Sequence, residues 1–109
     1  MSRAEALQRV TAEIRRAQAE ALGRVGERLD VLLGRLAELD RRLDALQAGA
    51  RPGTDRYRRL VAETAARNRV RNEAREAAHH LIIQREALGF VRHVLVEQQY
   101  PVPPRRELG

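Results

Sequence analysis

Apolar residues recur through the first half of the chain at Leu7, Val10, Ile14, Ala17, Ala21, Val25, Leu29, Leu32, Leu36, Leu39, Leu43 and Leu46. Steps of three and four keep them on one face of an α-helix. Ser2 and Glu5 stand at the spacing of a capping box, in which each side chain satisfies a free backbone amide of the first turn. The pattern predicts a helix over about 3–48. Between Ala17 and Leu29 the steps are all of four, and Gly23 and Gly26 fall there, so a bend or a close approach is expected at that place. Gly49 and the Arg-Pro-Gly of residues 51–53 cannot continue the helix, which makes 49–54 a turn, with Thr54 or Asp55 capping a second helix.

The second half is most apolar from Leu81 to Val96. Leu81, Leu88 and Leu95, with Val91 between them, form one helical seam, and Ile83, Ala87, Phe90 and Val94 form a second stripe beside it. This periodicity predicts a helix over about 55–99, ended by Pro101, Pro103 and Pro104. Each helix is then ~65 Å long, and the short turn makes the two antiparallel neighbours. With Gly49 opposite Thr54, the Leu-rich Leu29–Leu46 stretch faces Ala62, Ala65, Ala66, Ala74, Ala77 and Ala78, and Leu22 falls near Leu81. The bulky Leu81–Val96 stretch in turn faces the Ala-rich start of the first helix. Large opposes small in both halves, as interdigitated packing requires.

The fold class expected is therefore all-α, a long coiled-coil-like antiparallel two-helix hairpin over residues 1–99 with an extended Pro/Arg tail over 100–109. A two-helix hairpin buries one seam per helix, so the Ile83, Ala87, Phe90, Val94 stripe calls for a further partner. Dimerisation into a four-helix bundle is the simplest closed arrangement. The tail offers an alternative, since it could fold back over the stripe or lie across the bundle end. Its Pro101, Pro104 and Arg106 also fit the spacing of a proline-rich ligand for an SH3-type groove.

Composition narrows the chemistry. With 109 residues and only Tyr57, Phe90 and Tyr100 as aromatics, the chain builds one domain with a thin core. It has no cysteine, which removes disulfides, zinc-thiolate sites and thiol nucleophiles. The start of the sequence lacks a signal-like apolar segment, and a cytoplasmic protein with no membrane association is expected. The net charge of +6 rests on arginine alone, a mark of GC-rich coding that points to a bacterial source.

Eight arginines against Asp55, Glu63 and Glu73 give residues 51–75 a charge of +5. Arg67, Arg71 and Arg75 are spaced by four along that helix, where a phosphate backbone could lie against them. Nucleic acid is thus a second candidate partner; the competing assignment pairs these arginines with acids of the first helix. A third candidate is a metal. Glu76-Ala-Ala-His79 points two ligand types the same way along a helix, and Glu27 faces Glu76 in the expected register. In a dimer, two copies of Glu27, Glu76 and His79 would resemble the di-iron sites of ferritin-like proteins. The only serine, Ser2, has no base near it, and no glycine-rich phosphate loop is present. The chain reads as a non-enzymatic helical interaction module: an adaptor, scaffold or assembly subunit needing no cofactor and no small-molecule substrate. Its expected partner is a second copy or another helical protein.

Overall fold

In a computed structural model, which describes residues 2–108, the chain forms three helices: α1 (Arg3–Gln47), α2 (Asp55–Ala87) and the short α3 (Val94–Gln99). No strand is present among the described residues. The long helices pack against each other in a rod of 75 × 22 × 15 Å. Ser2 caps α1 by accepting the Glu5 amide at 3.1 Å, and Thr54 caps α2 by accepting the Tyr57 amide at 3.2 Å. Gly49 turns the chain with φ +77°. The last carbonyls of α1 lack a basic residue of their own, and Arg56, from the first turn of α2, donates to the Leu46 and Ala45 carbonyls at 3.0 and 2.8 Å.

Large opposes small in the middle of the rod, at Ala74 and Ala77, but not along the whole expected row: Ala62 and Ala65 are exposed, and nearer the turn the buried residues of α2 are Leu60, Thr64, Arg67 and Asn68. Leu29, Leu32 and Leu36 of α1 share one core cluster with Val70, Ala74, Ala77 and Leu81 of α2, and Leu22 packs against the same cluster. Small Ala side chains let the backbones come close enough for the leucines to fill the space between them.

The second helix is shorter than its periodicity indicates. It ends at Ala87, and residues 88–93 leave the helix before α3 begins. The cause is Gly89, at φ +91°. Its amide donates to the Glu86 carbonyl, and the Phe90 amide donates to the Arg85 carbonyl, both at 3.0 Å, which is the paired hydrogen-bond signature of a Schellman C-terminus. The contact that usually accompanies this motif is supplied by the Phe90 ring, whose centroid lies 4.7 Å from the Arg85 guanidinium carbon. A residue without a Cβ adopts that φ freely, so a terminator won over an apolar repeat that would otherwise have continued.

The break rearranges everything after it. Leu81 stays buried, but Val91 and Leu95 of the expected seam are exposed, and residues 88–96 do not run along the start of α1. Instead the chain doubles back. Val96 of α3 enters the Leu29–Leu81 cluster, Tyr100 and Val102 pack against it, and the tail continues towards the hairpin turn. Gly26, where a close approach was expected, receives the tail rather than α2: a Cβ there would sit 2.7 Å from the Tyr100 hydroxyl oxygen. Gly23 has nothing near it.

Candidate functional site

Two surfaces carry the chemistry of the molecule. The first is the groove between α1 and α2 that holds residues 100–106. Prolines at 101, 103 and 104 remove backbone donors, so the segment can neither coil into a helix nor pair as a strand, and its carbonyls must find donors elsewhere. Arg67 donates to the Pro104 carbonyl at 2.8 Å and Arg71 to the Pro103 carbonyl at 3.0 Å. Asn68 holds both backbone groups of Arg106. Its Oδ1 accepts the amide at 2.9 Å and its Nδ2 donates to the carbonyl at 3.1 Å. The Arg106 side chain then donates to Asp40 at 3.2 Å, Asp44 at 2.6 Å and Gln47 at 3.1 Å, all on α1.

Asp40 is the centre of this network. Arg67 donates to its two oxygens at 2.9 and 3.0 Å, a two-pronged contact that fixes orientation as well as charge. Burial alone would push the Asp40 carboxyl up, but the hydrogen bonds and charges of Arg67 and Arg106 outweigh burial and hold it below the ordinary aspartate value. For Arg106, burial works to lower the pKa, and the Asp44 and Asp40 carboxylates more than reverse that.

The second surface is the end of the rod remote from the turn. Because α2 stops at Ala87, α1 outruns it, and every described residue of α1 before Gln18 is exposed. Leu7, Val10 and Ile14 are each more than half exposed. Near the end of α2 and in the segment after it, Ile83, Ala87, Phe90 and Val94 are also exposed, together with Val91 and Leu95. The tail does not cover them, since it runs the other way along the hairpin. Elsewhere the large exposed apolar residues, Val31, Val61 and Leu108, are isolated in sequence.

The remaining sequence candidates are not gathered as the spacing suggests. Arg67 is only 3 % exposed and fully engaged with Asp40, Asn68 and the tail; Arg71 is half-buried under the tail; Arg75 alone of the three is exposed. The row therefore presents no continuous set of guanidiniums to solvent. The competing assignment holds for Arg67, whose partner is an acid of α1. Glu76 and His79 line an open cleft between α2 and the α3–tail segment, but Glu27 is not among its walls. No group of three potential metal-ligating side chains of His, Cys, Asp or Glu occurs among the described residues. No described helix is long and apolar enough to cross a membrane.

Sequence reasoning missed the tail groove. The Asn68 amide and the Asp40 and Asp44 carboxylates were present as signals, but the residues they hold lie about 38 to 66 positions away in sequence, beyond any local pattern. Comparison with protein-family models, with curated proteins and with solved structures gives no match.

Proposed function

We propose that the protein is a non-enzymatic helical interaction module, an adaptor, scaffold or assembly subunit, that associates through the apolar end of its hairpin. One observation carries this reading: large exposed apolar side chains concentrate towards the end remote from the turn, on the α1 overhang and on residues 83–95, and they stay exposed among the described residues. Clustered apolar surface of this kind marks an interaction site on a folded protein. The partner proposed is a second copy. Two chains related by a two-fold axis can set the Leu7, Val10, Ile14 face of one against the Ile83, Phe90, Val94 surface of the other, twice over, and the long helices of both then complete a four-helix bundle.

Fully covering such side chains is worth roughly 1.5–3 kcal/mol each, and groups already half covered gain about half of that. Summed over both copies, the gain is on the order of 10 kcal/mol, which is comparable with the cost of association, so a reversible, concentration-dependent dimer is expected.

Light scattering across a dilution series tests the reading. Phe90→Asp and Ile14→Asp should each shift the equilibrium to monomer, because each places a charge in the apolar contact. Raised salt should leave the association intact or strengthen it, whereas contacts to phosphate would weaken steeply. A mass unchanged by either substitution would place the interface elsewhere.

A further inference from the structure

The tail groove is built as a peptide-recognition site, and its construction is independent of the apolar end. Every polar contact that holds residues 103–106 comes from the hairpin, through its side chains and the Asp40 carbonyl, not from the connection through α3. Three features of the ligand are read. Arg67 and Arg71 read the carbonyls of two successive prolines, positions where a segment without backbone donors needs donors from outside. Asn68 reads one residue's amide and carbonyl together, as a neighbouring strand would, and so fixes the extended register. Asp40, Asp44 and Gln47 read an arginine side chain two positions beyond the second proline of that pair. Further along, Gly26 leaves room for an aromatic hydroxyl six residues before that arginine.

We propose that this groove is a binding site for an extended Tyr-Pro-x-Pro-Pro-x-Arg peptide, occupied in cis by the chain's own tail and open in trans to the same segment of a second copy. The charge match supports that occupant, because two carboxylates flank a bound guanidinium and the identical segment brings an identical guanidinium. Residues 88–93 lie outside any helix and contain Gly89, so the α3–tail unit is joined to α2 by a non-helical link. Tethering gives the cis tail an effective concentration on the order of millimolar, so a segment supplied in trans enters chiefly when the cis tail is weakened.

The test uses the full chain and a fluorescein-labelled peptide, Tyr-Pro-Val-Pro-Pro-Arg-Arg-Glu-Leu, the sequence of residues 100–108. Arg106→Ala in the chain weakens the cis competitor and leaves the groove residues in place. The peptide should bind this variant saturably and at least tenfold more tightly than it binds the unmodified chain. Adding Asn68→Ala should abolish that binding, and so should replacing the arginine of the peptide that corresponds to Arg106 by alanine. An isotope-labelled unmodified chain gives a readout that needs no variant: millimolar peptide should move the Arg106 amide signal towards its unbound position. Equal affinity for the two chains, equal binding of the two peptides, or an Arg106 amide signal that does not move would overturn the proposal.

Discussion

Arg67 and Asp40 show how a charge can be buried between two helices of so thin a molecule. The guanidinium is nearly sealed from water, and every group it is hydrogen-bonded to is an acceptor: two carboxylate oxygens, the Asn68 side-chain oxygen and the Pro104 carbonyl. Asp40→Ala removes the only counter-charge hydrogen-bonded to it and leaves a buried cation without a carboxylate, a change that typically costs about 3–5 kcal/mol. Chemical denaturation should show a loss of that order, and a loss below ~1 kcal/mol would mean that water reaches Arg67. The pH dependence follows from the lowered Asp40 value. A carboxyl whose folded pKa is depressed adds stability that is fully present above its unfolded value near 3.8 and is lost as pH falls through the folded value. Asp40→Asn should therefore flatten the fall in stability on the acid side of that point, and an unchanged acid limb would contradict the assignment. At Gly26 the expectation is non-additivity. Gly26→Ala pushes a methyl against the Tyr100 hydroxyl, Tyr100→Phe removes that oxygen, and the pair should cost less than the sum of its parts in melting experiments. The sequence pointed to Gly26 as a place of close approach, but the group that approaches comes from the tail, and a tail without periodicity gives no register from which to foresee it.

At the scale of elements, α1 and the turn were legible because their signals are local: a capping box, a three-and-four apolar repeat, and Gly49 followed by Pro52 and Gly53. The end of α2 was not, because two local signals conflict there. The apolar repeat through Leu81, Leu88 and Leu95 argues for continuation, while the Gly89 left-handed conformation argues for a stop, and the stop gains two capping hydrogen bonds, the Phe90–Arg85 contact and the burial of Val96 in the core. The balance between them can be shifted. Gly89→Ala meets no steric obstacle, since no atom lies within 4 Å of the added carbon, but it strains the positive φ by on the order of 1 kcal/mol. The expected outcome is lower stability of the bent form together with a rise in far-ultraviolet helicity, as residues 88–93 are drawn into α2. A fall in helicity with no gain would show that the segment has no helical alternative. Arg56→Ala, which strips two carbonyls of α1 of their donor, should cost about 1 kcal/mol in the same denaturation measurement.

For the molecule as a whole, the consequence of the early stop is asymmetry. One end of the rod is closed by the turn and braced by the tail; at the other, α1 extends past its partner helix with Leu7, Val10 and Ile14 bare, and Ile83, Phe90 and Val94, at the end of α2 and after it, are exposed as well. The sequence indicated an unpartnered apolar stripe, Ile83, Ala87, Phe90 and Val94, on one continuous helix; the stop at Ala87 divides it between α2, the link and α3, and these residues are exposed, as are Leu7, Val10 and Ile14 of α1. The tail, which could have served as its cover, is committed to Arg67, Asn68 and Asp40 instead. Association through this end is the central claim, and sedimentation equilibrium of the unmodified chain over a hundredfold range of concentration tests it most directly. The expected result is a reversible rise from the 12.4 kDa of a single chain to twice that mass, with the rise abolished in a chain carrying Ile14→Asp and Phe90→Asp together. A single-chain mass at every concentration would contradict the account.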